Sequence, residues 1–109
     1  MKIAVVGSRS VTKINLDAYV GEDDEIVSGG AAGVDRLAAE VAKEKGLTLV
    51  EFLPQYDRYG RAAPIVRNKQ IVDYADRVIA FWDGRSKGTQ SVIAYAKKVG
   101  KECKVILCQ

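Results

Sequence analysis

Histidine is missing altogether from this sequence. That excludes every mechanism built on an imidazole base, so any proton transfer would fall to carboxylates, Tyr, Lys or water. Cysteine is scarce. Cys103 and Cys108 lie close together near the C-terminus, in a stretch that reads as extended. Five residues of strand hold two Cα atoms roughly 16 Å apart, whereas a disulfide spans under about 7 Å. The two thiols therefore cannot pair within that strand. Without histidine they also make no metal site, and no metal is expected. A reducing, cytoplasmic setting is the simplest expectation. No apolar run approaches the length of a membrane span, and no membrane partner is expected. The start of the chain has one Lys, a short apolar run and then Gly7-Ser8-Arg9, which does not read as a signal peptide. Neither charge sign dominates. The net charge of +3 tolerates an anionic partner without demanding one. Repeats, low-complexity tracts and linkers are absent as well.

What is present fits one globular domain over residues 1–109, with 48% hydrophobic and 28% charged residues. Lys2 to Val6 is a β-branched apolar run and reads as a buried strand. Thr12 to Val20 reads as a weak helix with Leu16, Tyr19 and Val20 on its apolar side. Glu25 to Ser28 is a second strand. Val34, Leu37, Ala38, Val41 and Ala42 recur with helical spacing, predicting a helix from Val34 to Lys45 that Gly46 stops. Leu47 to Leu53 is the third strand, ended by Pro54, and Gln55 to Arg61 reads as irregular. Pro64 opens a helix to about Tyr74. Val78 to Trp82 is a fourth strand. Thr89 is the expected N-cap of a helix with Val92, Ile93 and Ala96 inward, closed by Gly100. Lys104 to Leu107 is the fifth strand. This alternation predicts a three-layer α/β fold, a Rossmann-like parallel sheet in the order 3-2-1-4-5.

In such a sheet, ligands bind outside the carboxyl ends of the strands at the point where the order reverses. Four loops should converge there, and each carries Gly, a small hydroxyl residue or Arg. The densest is Ser28-Gly29-Gly30-Ala31-Ala32-Gly33-Val34-Asp35. Its small residues let a ligand approach the backbone, and the helix start behind it favours an anion. It would serve as well as a plain strand-to-helix turn. It is neither a Walker A loop nor a full G-x-G-x-x-G fingerprint. Ser8 and Arg9 follow the first strand and read either as a turn serine and a solvated arginine or as phosphate ligands, since Arg clamps a phosphate with two parallel bonds. Asp35 reads either as a helix-dipole partner or as a ribose ligand. Arg67 sits early in a helix, against its dipole, which points to an anion. Asn68 reads as a neighbour in the same site or as a surface residue. Ser86, Gly88 and Thr89 make a second cradle or an ordinary cap. Tyr56, Tyr59 and Trp82 could stack on a base or belong to the core. Lys97, Lys98, Lys101 and Lys104 read as a solvated face.

Gly7-Ser8-Arg9, Ser28 to Asp35, Tyr59-Gly60, Arg67-Asn68, Ala75-Asp76 and Phe81 to Thr89 occur in that order along essentially the whole chain. Together they resemble the small YspA/YpsA-like members of the SLOG superfamily, the Rossmann-like group of DNA-processing protein A and the Lonely Guy enzymes. The resemblance implies that these loops bind nucleotides, nucleotide-derived signals or nucleic acid. The expected function is a sensor or sequestering module for a nucleotide or nucleotide-derived, ADP-ribose-like ligand, with no cofactor required. By position it carries over Gly7, Ser8, Arg9, Ser28, Gly29, Gly30, Gly33, Asp35, Arg67, Asn68, Ser86, Gly88 and Thr89. The Lonely Guy branch has a glutamate three residues after its threonine that helps cleave an N-glycosidic bond. Here Val92 stands in that place, so the resemblance implies holding a nucleotide more than cutting one. An N-glycosidase is the alternative, with Asp35 or Asp83 as the catalytic carboxylate. Single-stranded nucleic-acid binding ranks third, given the modest charge. The family also implies a homo-oligomer, and the open edges of a small sheet favour one.

Overall fold

The computed structural model describes Met1 to Cys108. Its scaffold follows from runs of β-branched residues long enough to bury both faces of a strand. Strand β1 (Lys2–Gly7) pairs in parallel with β2 (Glu25–Ser28) on one side and with β4 (Arg77–Trp82) on the other. Strand β3 (Leu49–Glu51) extends the sheet beyond β2, and β5 (Glu102–Leu107) extends it beyond β4. The order is β3-β2-β1-β4-β5, all parallel, as the alternation of elements predicts.

Alternate residues of the central strands feed two separate cores. Ile3, Val5, Ile79 and Phe81 pack with helix α1 (Val34–Lys45) through Val34, Ala38 and Ala42. Ala4, Val6, Val78 and Ala80 pack on the opposite face with helices α3 (Ala63–Tyr74) and α4 (Lys87–Lys98), through Ile71, Val72, Val92 and Ala96. That two-sided burial is why β1 and β4 read as continuous apolar runs instead of alternating ones. Each fully buried Val or Ile contributes about 1.5–3 kcal/mol. Helix α1 ends as the sequence predicts, with Gly46 in the left-handed conformation at φ 68° and its N–H bonded to the last carbonyls.

Residues 12–20 form no helix. The segment makes a single turn, in which Tyr19 N and Val20 N donate to the Leu16 carbonyl at 2.9 and 3.0 Å. Asp17 N donates to Asn15 Oδ1 at 2.9 Å, an Asx turn that competes with helical backbone bonding, and β-branched Val11, Thr12 and Ile14 weaken helix formation further. Burial needs no helix here. Val11, Leu16 and Val20 are 7%, 1% and 8% exposed and pin the segment as a strap over the α1-side core.

Smaller departures have local causes. Strand β3 is three residues long, not seven, because its only neighbour, β2, is itself four residues long. Within the stretch expected to be irregular, Tyr56–Tyr59 forms a one-turn helix, α2, followed by a 3₁₀ turn at Gly60–Ala62. Helix α3 starts at Ala63 and places Pro64 in its first turn. Helix α4 is capped by Ser86, not Thr89. Ser86 Oγ accepts from Thr89 N at 3.4 Å, the N-cap to third-residue bond, and Thr89 is buried. Strands β4 and β5 both begin on charged residues that apolar patterning does not reveal. Arg77 and Glu102 face each other in register, and Arg77 Nε lies 2.9 Å from Glu102 Oε2. No helix among the described residues is long and apolar enough to cross a membrane.

Candidate functional site

An open cleft of about 560 Å³ lies at the carboxyl edge of the sheet between β1 and β4, where the connection from β1 to β2 and the one from β3 to β4 run on opposite faces. The turn after β1 supplies its first wall. Gly7 is glycine for packing: a Cβ there would lie 2.5 Å from both the Phe81 carbonyl oxygen and Val34 Cγ2. Ser8 is 1% exposed and does not line the cleft. Its N–H donates to the Phe81 carbonyl at 3.0 Å, and its Oγ accepts from Asp83 N at 3.1 Å, stitching the β1 and β4 ends together. Arg9 and Ser10 follow on the cleft side. Arg9 is exposed and makes no side-chain hydrogen bond or ion pair among the described residues.

The Gly-rich loop forms the second wall through Ala31, Ala32 and Asp35. Ser28, Gly29, Gly30 and Gly33 shape it from behind instead of lining the cleft. Ser28 is fully buried and its Oγ accepts from Gly30 N at 3.3 Å. Gly33, at φ 80°, lets this loop touch the first one. A Cβ on it would sit 2.9 Å from Arg9 Cα. Asp35 Oδ2 accepts from Ala31 N at 3.1 Å. Burial pushes the Asp35 carboxyl above the ordinary carboxylate value, against the opposing pull of the Ala31 amide and the Arg67 charge.

Helix α3 presents Pro64, Arg67, Asn68 and Ile71, the i, i+3, i+4, i+7 face of one helix. Arg67 Nη1 donates to the Gly29 carbonyl at 2.7 Å, and its Nε donates to Asn68 Oδ1 at 2.9 Å. The start of α4 closes the site with Ser86, Gly88, Thr89 and Val92, together with Asp83. Gly88 differs from Gly7, because a Cβ there meets nothing within 4 Å. Asp83 is fully engaged. Its Oδ1 accepts from Arg85 N and Ser86 N at 2.8 and 2.7 Å, and its Oδ2 from Ser10 Oγ at 2.8 Å. Those donors hold its carboxyl down to about 2.

The cleft thus gathers Gly7, Arg9, Ala31, Asp35, Arg67, Asn68, Asp83, Ser86, Gly88 and Thr89 from the residues singled out in the sequence. Tyr56, Tyr59 and Trp82 do not line it, and Trp82 Nε1 instead donates to the Ser86 carbonyl at 3.0 Å. Sequence reasoning missed Val6, Ser10, Pro64 and Ile71 as lining residues, and it named Val92 only as standing in the place of a catalytic glutamate. The helical spacing of Pro64 and Ile71 around Arg67, and of Val92 after Thr89, was the available signal.

The chemistry on offer is mixed in charge. Arg9 and Arg67 face Asp35 and Asp83, and the positive ends of α1 and α4 add to the cationic side. Among the described residues, the amides of Ala32, Gly33 and Gly88 have no acceptor. No cluster of three potential metal ligands occurs among them. Of the two carboxylates, only Asp35 is shifted toward the range in which a carboxyl acts as a general acid. No protein-family model, no curated protein and no solved structure matches this chain.

Proposed function

We propose that this domain binds a nucleotide or nucleotide-derived, ADP-ribose-like ligand in the cleft, as a sensor or sequestering module of SLOG type. The observation that carries the reading is the convergence on one cleft of two helix starts whose amides have no acceptor among the described residues and of Arg9, an arginine with no partner among them. Amides at helix starts and guanidinium groups are the groups that recognise phosphoryl oxygens. The volume of about 560 Å³ falls within the range of small-molecule sites. Binding is favoured over cleavage because Asp83 is tied down by three donors and Val92 lines the cleft with an apolar side chain. The free thiols and the open edges of β3 and β5 support the accompanying proposals of a cytoplasmic setting and of self-association.

Calorimetric titration with ADP-ribose and AMP tests the reading. Arg9→Ala should weaken binding about tenfold to a hundredfold, the worth of a hydrogen bond to a charged group. Its melting temperature should stay close to wild type, since the side chain has no hydrogen-bond or ion-pair partner among the described residues. Unchanged affinity in Arg9→Ala, or no binding by wild type, would remove the proposal. One observation favours a second reading: Asp35 is a carboxyl raised by burial in a cleft, as a glycosidic acid would need. Release of free base from a nucleotide on incubation, lost in Asp35→Asn, would establish it.

A further inference from the structure

We infer that Arg67 and Asp35 form a clasp that sets the shape of the Gly-rich loop and act on a bound ligand through that loop, as positioning residues. Arg67 reaches the loop from a helix 38 positions further along the chain, and its Nη1 takes the Gly29 carbonyl at 2.7 Å. Its Nε is held by Asn68 Oδ1 at 2.9 Å, so two sides of the planar guanidinium are fixed at once. Asp35 reaches the same loop from α1 and takes the Ala31 amide at 3.1 Å. The two groups meet over the bare Cα of Gly29, where a Cβ would lie 2.6 Å from Arg67 Nη1 and 3.0 Å from Asp35 Oδ2. Gly29 is therefore glycine to admit the clasp, not to admit a ligand, in keeping with its place behind the cleft wall.

The loop needs such a restraint. Gly30 at φ 69° and Gly33 at φ 80° bracket two alanines, and a glycine-rich segment without tethers populates many conformations. Clasped at Gly29 and Ala31, the loop keeps one shape, with the amides of Ala32 and Gly33 free of internal acceptors. The same bonds explain why Arg67 sits against its own helix dipole: its partners are a carbonyl, a side-chain amide and a nearby carboxylate. The division of labour leaves Arg9 as the cation free to meet a ligand's charge. The role of Arg9 rests on the nucleotide-binding reading, whereas the clasp itself does not.

Amide hydrogen exchange on the ligand-free protein, paired with ADP-ribose titration, tests the clasp. Arg67→Ala and Asp35→Ala should speed exchange at Ala31 by about tenfold, leave the β1 and β4 amides unchanged, and weaken ADP-ribose binding. Asp35→Asn, whose amide oxygen accepts the same bond, should restore both loop protection and affinity to within about threefold of wild type. Arg67→Lys keeps the charge but cannot hold Gly29 and Asn68 together, so exchange and affinity should both suffer. Unchanged exchange in Arg67→Ala and Asp35→Ala would overturn the clasp. So would an Asp35→Asn protein with a protected loop and lost binding, which would make Asp35 a ligand contact. If wild type binds no ADP-ribose, the nucleotide reading fails while the exchange measurements still decide the clasp.

Discussion

Asp35 and Asp83 stand in the same cleft and titrate in opposite directions. Asp83 is held near 2 by the amides of Ser86 and Arg85 and the Ser10 hydroxyl, all of which prefer the ionised form. Its contribution to stability is complete above its ordinary value of 3.8 and is lost as pH falls toward about 2. Asp35 is raised, chiefly by burial. Between 3.8 and its folded value the native state holds more protons than the unfolded chain, so its contribution falls as pH rises through that window. Above that window the buried Asp35 carboxyl is a net cost. Asp35→Asn should accordingly raise the urea midpoint at pH 7, and the gain should vanish below the unfolded value of 3.8. Asp83→Asn should lower the midpoint at pH 7 and lose its effect near pH 2. Urea titrations of both variants across this range check the pair of signs. The sequence placed both carboxylates at the right edge of the sheet but could not rank them. Ser10, the partner of Asp83, lies 73 residues away, and Arg67, whose charge acts on Asp35, comes from a helix that starts well after it in the chain.

At the scale of elements, what patterning made legible was whatever buries a regular stripe. Helix α1 and strands β1, β2 and β4 announce themselves because their apolar residues repeat with a helical period or run unbroken. The strap after β1 does not, because it buries Val11, Leu16 and Val20 through turns, which have no period. The start of α4 was legible in kind but misplaced by three residues, since Ser86 and Thr89 are both good caps and only the geometry chooses. That start also carries a test of function. Gly88 occupies the first turn of α4, has ordinary helical space around it, and lines the cleft. By propensity alone Gly88→Ala should stabilise the protein by about 0.5–1 kcal/mol. If a ligand approaches the bare backbone there, the same methyl group should weaken ADP-ribose binding. Chemical denaturation and calorimetry on one variant read both signs, and a stabilised protein with undiminished affinity would place the ligand elsewhere in the cleft.

For the molecule as a whole, the radius of gyration of 12.7 Å matches the ~13 Å of a single compact domain of about this length. Its two cores share the strands between them, since β1 and β4 lend alternate residues to each. Opening either face therefore exposes the other, which favours one cooperative unfolding transition. The cleft is built from the ends of these same central strands and the starts of α1 and α4. A ligand held there touches both layers of helix and binds only when the sheet is intact. Binding confined to the native state stabilises by mass action, about 2.7 kcal/mol at a ligand concentration one hundred times Kd. For a domain of this size each kcal/mol moves the melting temperature by roughly 4–8 °C. ADP-ribose at that excess should therefore raise the melting temperature by on the order of 10 °C, in a single transition seen alike by near- and far-ultraviolet circular dichroism. Single-stranded oligonucleotides should give a shift no larger than a mononucleotide does. A shift that grows with oligonucleotide length would move recognition out of the cleft and onto an extended surface, where length adds contacts.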